Sequence, residues 1–191
     1  MQRYNKSNFI RGSLKALNRG KALHGTVGPS FARGAHDHTV CLEEAVQRAE
    51  ALCEQRGVRL TKQRRDVLEI VWSGHRPLGA YDILAVLVQE QGRKPQPPTV
   101  YRALEFLQDQ GLVHRVESLN AFVGCPLPGE RHSCQLLLCR ACGDSAEMVD
   151  PEAVESLKRS AGTAGFEVEK VTVELKGLCP RCASDRAGAG A

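Results

Sequence analysis

The sequence predicts an α+β protein, with an N-terminal winged helix-turn-helix followed by a smaller C-terminal α/β unit. Three observations carry that expectation. A run of amphipathic helices ends in a short one that is basic near its start, and an alternating hairpin follows it directly. Beyond them stand two matched turns, Cys139-Arg-Ala-Cys142 and Cys179-Pro-Arg-Cys182. Each turn aims two sulfurs at one point, and two such turns fill the four positions that a structural zinc ion prefers.

Residues 1–40 are expected to be a disordered basic extension. Arg3, Lys6, Arg11, Lys15, Arg19, Lys21 and Arg33 face no acid before Asp37, and only a weak stripe (Ile10, Leu14, Leu17) suggests helix. The composition matches an organelle transit peptide only superficially, and a loosely ordered basic extension is the favoured reading. His36, His38 and Cys41 offer donors for an accessory metal site, although a mobile segment without a scaffold binds zinc weakly.

A DNA-binding domain is expected over 41–124. Leu42, Ala45, Val46, Ala49 and Leu52 recur at helical spacing up to Cys53, and Gly57 is the stop. Thr61 caps a second helix over 62–72, with Val67, Leu68, Val71 and Trp72 on its apolar side. A third helix covers 80–90 around Ile83, Leu84 and Leu87. Pro98 and Gly111 delimit a fourth, which buries Val100, Ala103, Leu104 and Leu107 and leaves Thr99, Tyr101, Arg102 and Gln108 outside. Residues 112–116 and 121–123 form the wing, turned at Ser118-Leu119-Asn120. The last helix of such a domain enters the major groove. There Arg102 can pair with guanine O6 and N7, or, like Arg59, Arg64 and Arg65, touch phosphate alone. Tyr101 can bond a phosphate or cover the edge of the core.

The second unit is expected over 125–185, with 186–191 as a flexible tail. Residues 135–138 read as a strand, Asp150 caps a helix over 151–159, and 166–175 alternate as one long strand able to pair across a dimer. Charge divides the same way. Residues 53–116 hold ten basic and seven acidic groups, whereas 117–191 hold eight and eleven. A basic half joined to an acidic half suits a nucleic-acid reader attached to a module with another task. No apolar run is long enough to cross a bilayer, so a cytoplasmic protein with no membrane partner is expected.

For the paired cysteines the rival readings are a disulfide pair and a thioredoxin-like redox motif. The lack of a signal-peptide pattern and of partners for the other cysteines weighs against both, as does the expectation that neither turn follows a strand and opens a helix. His114, Cys125, His132 and Glu147 form no local motif, but their expected places, the wing, the inter-domain linker, a strand start and the turn after Cys142, could each reach one point. Singly they read as a surface histidine, a small buried thiol, a second histidine and a solvated acid.

The segments Gly57-Val-Arg-Leu-Thr-Lys-Gln-Arg64, Ala80-Tyr-Asp-Ile-Leu84, Pro98-Thr-Val-Tyr-Arg-Ala-Leu104 and Gly111-Leu-Val-His-Arg-Val-Glu-Ser118 change that reading. With the paired cysteines, they make the chain resemble the ferric uptake regulator superfamily over residues 41–182, and most closely its zinc uptake regulator branch. The resemblance implies a zinc-responsive transcriptional repressor of zinc uptake genes, binding palindromic double-stranded operator DNA as a zinc-loaded homodimer through a C-terminal dimerisation domain. It implies two zinc ions per subunit. Cys139, Cys142, Cys179 and Cys182 would hold the structural ion, and His114, Cys125, His132 and Glu147 the sensed one. It also sets Tyr81 and Arg102 against DNA bases.

Donor chemistry bears on the alternatives. One thiolate, two imidazoles and a carboxylate suit tetrahedral zinc, whereas an iron-type regulator of the same superfamily relies on nitrogen and oxygen donors. A thiol-based redox sensor would instead use Cys125 or Cys134. An enzyme is not expected, because four protein donors close each site and no separate nucleophile and base stand together.

Overall fold

In a computed structural model of the chain, the described residues are 31, 38–91, 96–129 and 132–188. The expectations for residues 1–30, for His36 and for 189–191 lie outside them, as does the side chain of His38.

Four helices build the first half. They are α1 (His38–Gln55), α2 (Lys62–Trp72), α3 (Ala80–Gln91) and α4 (Pro97–Asp109). Thr61 caps α2 as expected, its Oγ1 accepting from the Arg64 amide at 3.5 Å. Pro97 and Pro98 open α4, where a missing N–H removes nothing the helix would use. Gly57 and Gly111 end α1 and α4 with φ of 66°, a left-handed conformation that glycine adopts without strain. The expected apolar stripe of α4, Val100, Ala103, Leu104 and Leu107, is buried against Val67, Leu68, Ile83 and Leu87. Burying each of the larger of these side chains is worth roughly 1.5–3 kcal/mol. Arg64 completes the packing of α2 on α4, its guanidinium 3.5 Å from the centre of the Phe106 ring.

The wing is the antiparallel pair β2 (Val113–Val116) and β3 (Ala121–Gly124), joined by a 3-10 turn at Glu117–Leu119 and a left-handed Asn120. A two-residue strand that the sequence did not signal, β1 (Leu78–Gly79), pairs with β3.

The second half is a three-stranded sheet with helices. Strands β4 (Cys134–Cys139) and β5 (Ser145–Val149) are antiparallel, α5 (Pro151–Thr163) follows, and β6 (Val173–Gly177) returns parallel to β4 before α6 (Pro180–Gly188). Asp150 caps α5, its carboxylate accepting from the Ala153 amide at 3.1 Å. The long strand expected over 166–175 shrinks to β6. Its physical limit is the partner: Val173 pairs with Gln135, and β4 begins one residue earlier, so residues before 172 run past the strand that β6 joins among the described residues. Helix α6 was not foreseen, and it carries ordered structure three residues past the boundary expected at 185.

The halves are packed together. Val116 and Val123 of the wing share a small core with Leu136 and Leu138 of β4. The backbone oxygen of His75, in the loop after α2, accepts from both the amide and the hydroxyl of Ser145, at 2.8 and 2.9 Å. Among the described residues no helix is long and apolar enough to cross a membrane.

Candidate metal centre

The four cysteines of the paired turns converge, their sulfurs lying within 4.8 Å of one another. Cys139 ends β4, Cys142 sits in the turn beyond it, and Cys179 and Cys182 bracket the start of α6. Cys142 Sγ and Cys179 Sγ are 3.8 Å apart. Four sulfurs each ~2.3 Å from a tetrahedral centre would stand about 3.8 Å from one another, so the residues fit a structural zinc. One expectation is corrected here. The second turn does follow a strand, β6, and does open a helix, because Pro180 suits a first helical turn. What separates this arrangement from a redox motif is the convergence of both pairs on one centre.

The electrostatics at Cys139 and Cys182 agree. Backbone amides of Cys142 and Cys179 stabilise a thiolate at Cys139 and bring its pKa down to about 6. The sulfur of Cys179, together with burial, pushes Cys182 up to about 12. One thiolate is tolerated and a neighbouring one is refused, so four ionised sulfurs require a cation among them.

A second group of donors comes from elements far apart in sequence. His114 lies in β2 and Cys125 just beyond β3, its amide donating to the Leu112 carbonyl at 3.0 Å. His132 precedes β4 by two residues, whereas the sequence suggested the strand start, and Glu147 stands in the middle of β5 instead of in a turn. Their donor atoms all fall within 4.8 Å of one another. Glu147 Oε1 is 2.6 Å from His132 Nε2, Glu147 Oε2 is 3.2 Å from His114 Nε2, and Cys125 Sγ is 3.6 Å from His132 Nε2. Despite that proximity, His114 Nε2 and both Glu147 oxygens are buried without a well-formed hydrogen bond. Buried polar atoms left so are costly, and donors aimed at a shared centre have this geometry. Thiolate, two imidazoles and carboxylate make a chemically sound zinc set.

Charge in this pocket is finely divided. Burial opposes a charged His114 ring, but the sulfurs of Cys125 and Cys134 and the Glu147 carboxylate outweigh it and push its pKa up to about 12. Burial also opposes ionised Glu147, yet His114 and His132 bring its carboxyl down to about 2. Against its own burial, Cys125 is lowered by the same two rings. These neighbours favour a charged His114 ring in the metal-free pocket, a charge that a dication could replace. Cys134 lies beside His114, its thiol raised by burial, but it is not among the four converging donors.

The residues expected to meet DNA are dispersed on one half. Tyr81 on α3 is 70% exposed, Tyr101 on α4 is 44% exposed, and Arg102 and Arg59 are exposed while Thr99 is half-buried. Arg64 is engaged internally, donating to the Arg59 carbonyl at 2.6 Å besides its contact with Phe106. Two contributors were missed. Gly124 lies so near Trp72 that a Cβ there would meet the indole at 2.2 Å, and Glu174 of β6 reaches the wing turn. A lone glycine at a strand end and one more acid on an alternating strand carry no distinguishing pattern.

A helix-turn-helix, its wing, and a group of side chains from this wing and a separate sheet that could hold a metal ion define a winged-helix protein with candidate metal centres. The sequence profile of the Ferric uptake regulator family matches residues 55–176. The chain belongs to that family, whose members are transcriptional regulators and not enzymes. It is 40% identical over 142 residues to the zinc uptake regulation protein of Escherichia coli (strain K12), a match covering 73% of this chain and 82% of that protein. Among solved structures, a zinc uptake regulator complexed with zinc and DNA is 37% identical with a TM-score of 0.71, over 76% of this chain and 97% of that one. Holo XcZur is 39% identical with a TM-score of 0.67, over 74% and 98% respectively.

Proposed function

We propose that the chain is a cytoplasmic, zinc-responsive repressor of zinc uptake genes that binds a palindromic operator as a homodimer carrying two zinc ions per subunit. The observation that carries this reading is the convergence of His114, from the wing, and Cys125, where the two halves join, with His132 and Glu147, from the sheet half. The similarity to zinc uptake regulators supports it, and the Cys125 thiol favours zinc over iron.

In this reading residues 41–124 are the DNA-binding domain and 125–185 the dimerisation domain. Zinc at the second centre would supply a four-coordinate tie between them. His114 would hold the wing and Cys125 the link between the halves, while His132 and Glu147 would hold the sheet against them. Two-fold partners match a palindrome only at one separation of their recognition helices. A fixed domain angle favours that separation. Charge alone is too weak a cause, since exchanging a dication for one or two protons changes each subunit by about one unit or by none. Shifting a population from 1:99 to 99:1 needs about 5.5 kcal/mol, which geometry must supply.

Tyr81, Thr99, Tyr101, Arg102 and Arg59 would contact DNA, with Arg64 orienting α2 on α4. Leu157, Phe166 and Leu175, large apolar side chains left about half or more exposed on one subunit, suit the dimer contact. Cys139, Cys142, Cys179 and Cys182 would hold the structural ion. Metal analysis of wild type and His114→Ala tests the assignment. Two ions per subunit falling to one, with zinc-dependent operator binding lost and secondary structure kept, is expected. A variant that still responds to zinc would contradict it.

A further inference from the structure

The sheet face that supplies Glu147 to the metal centre carries a second carboxylate in the same row. Leu136 of β4 pairs with Glu147 on one side and with Glu174 of β6 on the other, so all three side chains share one face. That face is the one packed on the wing, since Leu136 and Leu138 contact Val116 and Val123. Glu147 meets the wing at His114. Glu174 meets it at the tip, where its Oε1 accepts from the Glu117 amide at 2.6 Å and from the Ser118 amide at 3.3 Å, with Oε2 also 3.3 Å from the latter. These amides begin the 3-10 turn, whose own N-cap, Val116, has no side-chain hydrogen bond to offer them. Lys170 adds an ion pair to Glu117 at 3.2 Å.

We propose that Glu174 is a positioning residue for the second metal centre, a clasp that caps the wing turn from the dimerisation sheet and holds His114 within reach of Glu147 before any metal binds. The inference rests on the metal-centre assignment above. A carboxylate bonded to two backbone amides is a charge-assisted contact, among the stronger hydrogen bonds a surface can make. It acts through preorganisation, because the apparent affinity of a site is its intrinsic affinity scaled by the fraction of molecules already arranged to bind. If losing the clasp lowers the docked fraction of wings from near unity to about one in ten, zinc affinity at this centre falls about tenfold.

The test uses the full chain with its four-cysteine centre loaded, in wild type, Glu174→Ala and Glu174→Gln. Amide hydrogen exchange at Glu117 and Ser118 is read first, without metal in the second centre. Zinc affinity there is then measured by competition with a chromophoric chelator. The expected results are fast exchange of both amides and about tenfold weaker zinc in Glu174→Ala. Glu174→Gln, which keeps an acceptor oxygen, should fall between Glu174→Ala and wild type. Unchanged amide exchange, or unchanged zinc affinity, in Glu174→Ala overturns the proposal. If wild type itself takes up no second ion, the functional reading above fails, and the exchange experiment still decides whether the clasp exists.

Discussion

Gly124→Ala puts the coupling between packing and metal binding to a direct test. A Cβ at this position would lie 2.2 Å from Trp72 Cε2 and 2.3 Å from Trp72 Nε1. Carbon atoms rest about 3.5–4.0 Å apart, so something must move by more than ~1 Å. The indole is rigid and packs against the helical core, which leaves the end of β3 to give way. Overpacking of this kind costs roughly 1–3 kcal/mol. In a domain of this size each kcal/mol lowers Tm by about 4–8 °C. The strand end that shifts leads straight into Cys125, whose sulfur must meet His132 and Glu147. Gly124→Ala should therefore melt at least several degrees below wild type and bind zinc more weakly at the second centre, with the four-cysteine centre unaffected. Thermal denaturation and chelator competition on the same samples read both effects. A variant that melts with wild type and keeps its zinc affinity would refute the reasoning.

Further predictions follow from charge and from the cysteine cluster. Because the Cys125 and Cys134 sulfurs and the Glu147 carboxylate push the pKa of metal-free His114 up, zinc has to displace a proton there at neutral pH. Zinc affinity at the second centre should rise at least about tenfold per pH unit between 6.5 and 8, and more steeply where Cys125 also gives up a proton, and a pH-independent titration would contradict the assignment. Glu147 has its folded pKa at about 2, below its ordinary value, so its contribution to stability is present above the ordinary carboxylate range and is lost as pH falls toward 2. Metal-free Glu147→Gln should lack that part of the acid transition in a denaturation series. Replacing Cys139 by Ser removes one donor from a centre of the kind that supplies on the order of 10 kcal/mol of folding energy, and the second half should lose its ordered β signal by circular dichroism. On any bound duplex, Arg59→Ala should lower the slope of log affinity against log salt by about one, the mark of a lost phosphate contact, without changing preference among sequences.

Most of the first half was legible because its signals are local. Thr61, the prolines before Thr99, Gly57 and Gly111 mark helix ends, and the apolar stripe of α4 lies where helical spacing places it. The cysteine cluster was legible for the same reason, two short motifs with one chemical meaning. Strand β5 escaped notice, since Ser145–Val149 is short and its centre is the acid that faces His114 and His132. Residues 166–172 alternate as a strand should, but pairing needs a partner, and β4 is too short to provide it. The second metal centre was the least legible from pattern. Its donors lie on four separate segments, and only family resemblance named them together before the fold brought their atoms within 4.8 Å. Gly124 and Glu174 matter through contacts with Trp72 and the wing turn, which no spacing rule encodes.

The central claim is that zinc at the wing-to-sheet centre controls DNA binding. Its most direct measurement is the affinity of the full chain for a labelled palindromic duplex across buffered free zinc, with the four-cysteine centre loaded throughout and iron(II) and manganese(II) run in parallel without oxygen. The account predicts strong tightening with zinc and little with the other two. Affinity independent of zinc, or tightening by iron, would contradict it.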